Sequence, residues 1–379
     1  MDLGRRLVGL RAGMAARGVD LAIYGHCPNF QYLTGSTADW REAPDHRPAG
    51  DLVLVPLEGD PLLLESGEFP TPDGPAWRVE RYDPAEGYAG HFRAFAGTLS
   101  AEVRKVGLGA YLPPQAVTAA LSVFEGAGPV EAAGLMDAVR AIKEPEEIAR
   151  LRAAARLTDE AMAAVARGIR EGVSQRDLML EIEHQGHLRG ASRVSFNPWA
   201  CFVRSGSAAG GFLTDYPVET GLSGNVAITF DVGFVLDGYC SDWGRSLYWG
   251  KPPAHAAAAY AALRRAVVDT VAGMADGAMR ADEVYPAIER HLDTDGFGDR
   301  MRARLAMGQV MGHQIGTEVH ENPWLRPGSG ELLREGMVLC VEPKLWLPGE
   351  YYLRLEEMVL VGKDGGEFLT SFDRELFVL

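Results

Sequence analysis

The sequence predicts an α+β protein in two parts, and three observations carry that prediction. Up to about residue 140, helix-like and strand-like segments alternate. Beyond it, a pair of helical segments followed by strands is succeeded by a second such set, a weak internal repeat. Several strand pairs are joined by short Gly, Pro and Asp turns, as antiparallel hairpins require. At 379 residues the chain is long enough for two substantial cores. We place the domains at 1–140 and 141–379.

In the first domain, Leu3, Leu7, Leu10 and Met14 mark one face of an opening helix, and a strand follows at 20–24. Glu58-Gly59-Asp60 separates strands at 51–56 and 61–65, a hairpin signal. A helix near 91–103 and a strand at 105–107 complete a small α/β unit. Gly107-Leu108-Gly109 lacks the rest of a dinucleotide fingerprint and runs into Pro113-Pro114. In the second domain, Ile148, Leu151, Ala155, Met162, Val165 and Ile169 follow helical spacing. Ser174 and Asp177 form a capping-box pattern that opens a second helix. Strands are expected at 192–204, 225–235 and 239–248, helices at 254–277 and 281–295, then strands at 308–319, 337–345 and 352–361.

Composition excludes several functions. The formal charge of −15 and the lack of a basic stripe argue against nucleic-acid binding. No apolar run reaches the ~18 residues of a membrane span, and the arginine-dotted N-terminal segment does not read as a secretory signal. Cys27, Cys201, Cys240 and Cys340 are isolated in sequence and fit reduced, buried thiols, so a cytoplasmic location is expected.

The chemistry concentrates in two acidic pairs. Asp231 and Asp242 flank a loop at Leu236-Asp237-Gly238; Glu342 and Glu356 flank Pro348-Gly349-Glu350. If each segment folds back on its loop, the members of each pair face one another at roughly 4.5–5.5 Å between Cβ atoms. Like charges so placed destabilise a hairpin unless a cation lies between them. Alternation puts Cys240 on the face of Asp242, and Arg354 and Met358 on the face of Glu356. Arg354 either neutralises the acidic cluster or holds a substrate carboxylate. His313, between Gly312 and Gln314-Ile315-Gly316, supplies an imidazole, and His320 follows in Glu318-Val319-His320-Glu321. Trp324 stands where the second His of an HExxH motif would be. An oxygen-rich set with one His suits Mn²⁺ or Co²⁺, with Zn²⁺ also compatible. Five donors fit two ions roughly 3.5–4 Å apart better than one, which implies metal-assisted hydrolysis. Asp237 is read as a turn residue without function.

The order Asp231-Val232-Gly233, Gly238-Tyr239-Cys240-Ser241-Asp242, Gly312-His313-Gln314-Ile315-Gly316, Glu342-Pro343 and Arg354-Leu355-Glu356 resembles the pita-bread metallopeptidases, in particular the prolidase and aminopeptidase P branch. Asn29-Phe30-Gln31-Tyr32-Leu33-Thr34-Gly35 is similar to a segment of the creatinase-type N-terminal domain. The resemblance implies a C-terminal pita-bread domain behind a smaller creatinase-type one. It implies a dinuclear centre with Asp231, Asp242 and Glu356 around one ion, and Asp242, His313, Glu342 and Glu356 around the other. Glu342 would also move the proton of the nucleophilic water, His320 would contact the scissile carbonyl, and Arg354 would hold a dipeptide's terminal carboxylate. The expected activity is hydrolysis of short peptides, Xaa-Pro dipeptides first. Aminopeptidase P-like cleavage, hydrolysis of another amide or C–N bond, and a non-catalytic binding protein are the alternatives. A homodimer is expected, with Asp39-Trp40 either closing the neighbouring site or simply packing.

Three departures stand out. Residues 204–212 contain no His where the family usually has one, with Phe212 or a neighbour in its place; Gly244 stands for a usual Thr; Lys344 stands for a usual Gly. The resemblance therefore leaves room for a changed substrate on a retained centre.

Overall fold

The computed structural model describes residues 2–36, 40, 51–65, 77–83, 86–206, 214, 216–308 and 312–379. The chain divides into two compact units, Met1–Arg140 and Ala141–Leu379. Asp39 and the 207–212 part of the segment lacking a His lie outside the described residues.

The first unit runs α1 (Leu3–Arg17), β1 (Leu21–Tyr24), α2 (Pro28–Thr34), β2 (Leu52–Pro56), β3 (Leu62–Glu65), β4 (Arg78–Arg81), α3 (Ala89–Ala96), β5 (Lys105–Leu108), α4 (Pro114–Val123) and β6 (Gly128–Glu131), with the short α5 (Asp137–Ala141) at the junction. Among the described residues, its strands form one sheet in the order β4-β3-β2-β1-β5-β6. β2 and β3 pair antiparallel with Leu54 opposite Leu62, the hairpin read from Glu58-Gly59-Asp60. α3 stops seven residues short of its expected end. Gly97 caps it, and the Thr98 hydroxyl donates to the Phe95 carbonyl, competing with the next helical turn. Trp40 stacks on Tyr111, with ring centroids 5.5 Å apart, so it packs within its own unit.

The second unit begins with α6 (Pro145–Gly168) and α7 (Gln175–Leu188). Pro145 sits at the first helical position of α6, and the Glu147 carboxylate accepts from the Glu144 backbone at 3.0 Å. The Ser174–Asp177 capping box opens α7. Then follow β7 (Arg193–Val194), β8 (Trp199–Arg204), β9 (Val226–Val232), β10 (Phe234–Leu236), β11 (Tyr239–Cys240) and β12 (Trp243–Trp249). The second half holds α8 (Ala254–Ala272), α9 (Val284–Thr294), α10 (Gly298–Leu305), β13 (His313–Gln314), β14 (Glu321–Trp324), β15 (Val338–Val341), β16 (Lys344–Leu347), β17 (Tyr351–Val361), β18 (Gly366–Phe368) and β19 (Phe377–Val378). Among the described residues, no helix is long and apolar enough to cross a membrane.

The large sheet of this unit has the order β14-β13-β15-β17-β12-β9-β8, and the 11-residue β17 is its spine. Helices α8, α9 and α10 cover an apolar core with Leu263, Val267, Ile288, Leu355 and Val359, all without solvent exposure. Several strands are shorter than expected. The 192–204 strand splits around Asn197-Pro198, and the 337–345 strand breaks at Pro343, which has no N–H for a ladder. Among the described residues of the expected 308–319 strand, His313–Gln314 is strand, and it ends there because Gly316 turns back and its N–H donates to the Glu318 carbonyl. Helix α10 was not anticipated.

The two hairpins differ from one another in register. Between β16 and β17, Lys344 faces Arg354 and Leu347 faces Tyr351 across the three-residue loop Pro348-Gly349-Glu350. β15 continues that register with Cys340 opposite Met358, which sets Glu342 opposite Glu356. The first hairpin turns through two residues, not three. Asp237 (φ 49°) and Gly238 (φ 78°) form a tight turn between Leu236 and Tyr239. Asp231 therefore faces Gly244, not Asp242, and the expected direct pair is a diagonal one.

Candidate metal centre

A register shift of two residues leaves every side chain on its original face. Asp231 and Asp242 consequently still point the same way, as two neighbouring rungs. Across β9, β12, β17 and the β15–β16 strand line, one rung reads Asp231, Gly244, Glu356 and Glu342. The rung on one side reads Thr229, Ser246, Arg354 and Lys344. The rung on the other side carries Asp242, Met358, Cys340 and, through β13, His313. One sheet face thus gathers all five donors read from the sequence, beside a rung of two cations.

Burial sets the electrostatics. Asp242, His313, Glu342, Glu356, Arg354 and Lys344 are each less than a tenth exposed, and Asp231 opens partly to solvent. Arg354 Nη2 lies 2.6 Å from Glu356 and 2.8 Å from Glu342, and its Nη1 pairs with Asp231. Lys344 Nζ donates to Glu342 Oε2. Burial works to raise the Glu342 pKa, but Lys344 and Arg354 outweigh it and hold the carboxyl at about 2. Burial pushes Asp242 well above the carboxylate range, and Asp231 adds to the effect. Burial likewise raises Glu356, with Asp242 and Glu342 reinforcing it against Arg354. At this end of the cluster, negative charge is under-compensated.

His313 shows where a cation fits. Its Nδ1 donates to the Gln314 carbonyl at 3.0 Å, which leaves Nε2 with a lone pair. That nitrogen is 3.4 Å from Asp242 Oδ2 and 3.7 Å from Glu342 Oε1. Asp242 Oδ1 and Glu356 Oε1 are buried without a hydrogen-bond partner. One ligand atom from each of Asp242, His313, Cys340 and Glu356 lies within 4.8 Å of the others, and a buried cluster of donors this tight suits a divalent ion. Asp231 lies at the other edge, where Arg354 already supplies a positive charge.

Gly244 makes that arrangement possible. A Cβ there would lie 2.6 Å from Arg354 Nε and 2.8 Å from Glu356 Oε2. The arginine stem crosses the space that a side chain at 244 would fill, so Arg354 reaches Asp231. Its two Nη atoms are thereby committed to carboxylates of the chain. In this conformation Arg354 neutralises the cluster, and a dipeptide carboxylate would have to displace those partners.

A second buried network braces the histidines. Lys143 Nζ, at the start of the unit, donates to Gln314 Oε1 at 2.7 Å and to Glu321 Oε2 at 3.0 Å. Glu321 Oε1 accepts from the Glu318 N–H at 3.2 Å, closing the turn between His313 and His320. The His320 ring sits edge-on to His313 at 4.4 Å and stacks on Trp324 at 5.1 Å. Desolvation on that packed side, with His313 next to it, lowers its pKa to about 4. The ring is therefore neutral near pH 7 and its N–H can donate to a carbonyl oxygen.

Sequence reasoning missed two residues in this cluster. Lys344 was read only as a departure. Cys340 was read only as a reduced, buried thiol, although strand alternation from Glu342 places it on the same face. Its sulfur lies within 4.8 Å of the ligand atoms of Asp242, His313 and Glu356.

The fold and this face define a metal-dependent hydrolase with a separate N-terminal unit. Residues 149–363 match Metallopeptidase family M24, and residues 6–142 match the Creatinase/Prolidase N-terminal domain. The chain is 30% identical over 255 residues to a putative dipeptidase, YkvY, of Bacillus subtilis, covering 67% of each chain. It superimposes on the prolidase from Thermococcus sibiricus with a TM-score of 0.80 at 26% identity, over 100% of both chains. The Xaa-Pro dipeptidase from Bacillus anthracis has the same fold, with a TM-score of 0.81 at 22% identity over 100% of both chains. The protein belongs to Metallopeptidase family M24 and is a metallopeptidase with the pita-bread fold, close to the Xaa-Pro dipeptidases.

Proposed function

We propose that this metallopeptidase hydrolyses short peptides, with Xaa-Pro dipeptides as its main substrates, using divalent ions held on the carboxylate face. Asp242, His313, Glu342 and Glu356 would hold one ion. Asp231, Asp242 and Glu356 would hold a second, in competition with Arg354. When bound, the ions would bring the pKa of a water towards neutrality and polarise the peptide carbonyl. The observation that carries this reading is the buried convergence of ligand atoms from Asp242, His313 and Glu356 within 4.8 Å of one another, with Asp242 Oδ1 and Glu356 Oε1 lacking a hydrogen-bond partner.

The chain's own residues supply the rest. Glu342 keeps Oε1 towards His313 while Lys344 and Arg354 hold Oε2, so Oε1 is the atom that takes the proton of the attacking water. Lys344 makes it a weaker base than an unpaired carboxylate. His320, neutral and braced by Trp324, donates to the developing oxyanion. Mn²⁺ or Co²⁺ fits the oxygen-rich donors, with Zn²⁺ as the alternative. Four buried cysteines, none in a disulfide, support a cytoplasmic location, and a homodimer as the working assembly follows from the resemblance to the creatinase-type family.

The experiment is a hydrolysis panel of Xaa-Pro dipeptides, Xaa-Pro tripeptides and proline-free dipeptides with Mn²⁺, Co²⁺ and Zn²⁺. Preference for Xaa-Pro dipeptides supports the reading, and preference for tripeptides moves it to aminopeptidase P-like cleavage. Indifference to proline favours the second reading, hydrolysis of another amide or C–N bond. The absence of His from residues 204–212, with Gly244 and Lys344, is what favours that alternative.

A further inference from the structure

Cys340 occupies a place that packing alone does not account for. Its neighbours Ile315, Val338 and Met358 form an apolar cluster, and a small buried thiol is ordinary in such company. Its direction is not ordinary. Cys340 is the direct cross-strand partner of His313 and stands two residues before Glu342, so its side chain emerges on the carboxylate face. The sulfur comes within 4.8 Å of ligand atoms from Asp242, His313 and Glu356. Two of those residues carry buried oxygens without a hydrogen-bond partner, Asp242 Oδ1 and Glu356 Oε1, so the cluster has open donor capacity on independent grounds.

We propose that Cys340 is a sulfur donor to the ion held by Asp242, His313 and Glu356, giving this centre a mixed oxygen, nitrogen and sulfur shell. The inference rests on the metal reading above and adds a selectivity to it. Carboxylates and imidazole leave Mn²⁺ competitive, whereas a thiolate favours softer ions such as Co²⁺, Zn²⁺ and Cd²⁺. On binding, the S–H bond breaks as the metal–sulfur bond forms, and the proton leaves to solvent. No redox change is involved. The buried, unexposed setting of Cys340 keeps the thiolate from competing oxidants and leaves the ion as its partner.

The test uses the full-length protein, stripped with a chelator and titrated with Co²⁺. A near-ultraviolet sulfur-to-cobalt charge-transfer band, saturating with the first ion, is the expected result. Cys340→Ser should abolish the band while still taking up Co²⁺, and should weaken Cd²⁺ binding on the order of tenfold or more with Mn²⁺ binding little changed. Cys240→Ser should retain the band, because that thiol already meets the Thr317 carbonyl at 3.7 Å. Stoichiometric Co²⁺ binding to the unaltered protein without the band overturns sulfur ligation while leaving the metal reading intact. A band that survives in Cys340→Ser also overturns it. Failure to take up Co²⁺ at all sinks both.

Discussion

Replacing Arg354 with Met keeps most of the side-chain volume and removes the charge that three carboxylates share. The guanidinium is almost fully buried, and contacts Glu356 at 2.6 Å and Glu342 at 2.8 Å besides Asp231. Deleting one partner of a buried ion pair costs about 3–5 kcal/mol, because the other charge is left uncompensated. At the size of the 141–379 unit, each kcal/mol moves the melting temperature by about 2–4 °C, so Arg354→Met should melt roughly 6–20 °C lower in EDTA. A divalent ion should recover much of that loss. It supplies positive charge to the same oxygens, and its competitor at Asp231 and Glu342 is gone. An ion at 100 times its dissociation constant adds about 2.7 kcal/mol. The assay is thermal unfolding followed by near-ultraviolet circular dichroism of Trp199, Trp243, Trp249, Trp324 and Trp346, with EDTA and with saturating Co²⁺. A variant that melts within ~1 °C of the parent in EDTA refutes the charge argument. So does a gap that Co²⁺ fails to narrow.

The other predictions are simpler. Lys344→Met removes a cation from Glu342 and should tighten divalent-ion binding on the order of tenfold, read by calorimetry, since a neighbouring charge shifts such equilibria by about 1–3 log units. His320→Ala should lower kcat by about 10²–10³-fold with unchanged metal content, the loss typical of one oxyanion donor. Asp177 accepts from the Ser174 N–H and hydroxyl, which lowers its pKa in the folded protein. Its contribution is therefore complete above pH 3.8 and lost as the pH falls through the lowered folded value. Asp177→Asn should lower the urea midpoint at pH 7, by an amount that shrinks as the solution is acidified below that point.

Which parts of this account the sequence could yield follows from particular residues. The Glu342–Glu356 alignment was legible because Pro348-Gly349-Glu350 makes a three-residue loop, with Glu350 N–H closing on the Leu347 carbonyl. The Asp231–Asp242 alignment was misjudged because Asp237 accepts a left-handed conformation, shortening the loop to two residues. Parity rescued the site, since the shift of two kept both aspartates on one face. Proline and glycine breaks were harder to foresee than strand identity, as at Pro343 and Gly316, because they depend on where a neighbouring backbone runs. The reach of Arg354 to Asp231 was not legible at all. It depends on a long side chain crossing a glycine on the next strand, which no periodicity within one strand encodes. Cys340 was within reach of strand alternation and was overlooked because isolated cysteines suggest packing first.

The most direct measurement of the central claim is anomalous diffraction from crystals grown with Co²⁺, collected on either side of the cobalt edge. The account predicts a strong cobalt peak among Asp242, His313, Glu342 and Glu356. An empty face, with Arg354 and Lys344 still paired to the carboxylates at saturating Co²⁺, would contradict it.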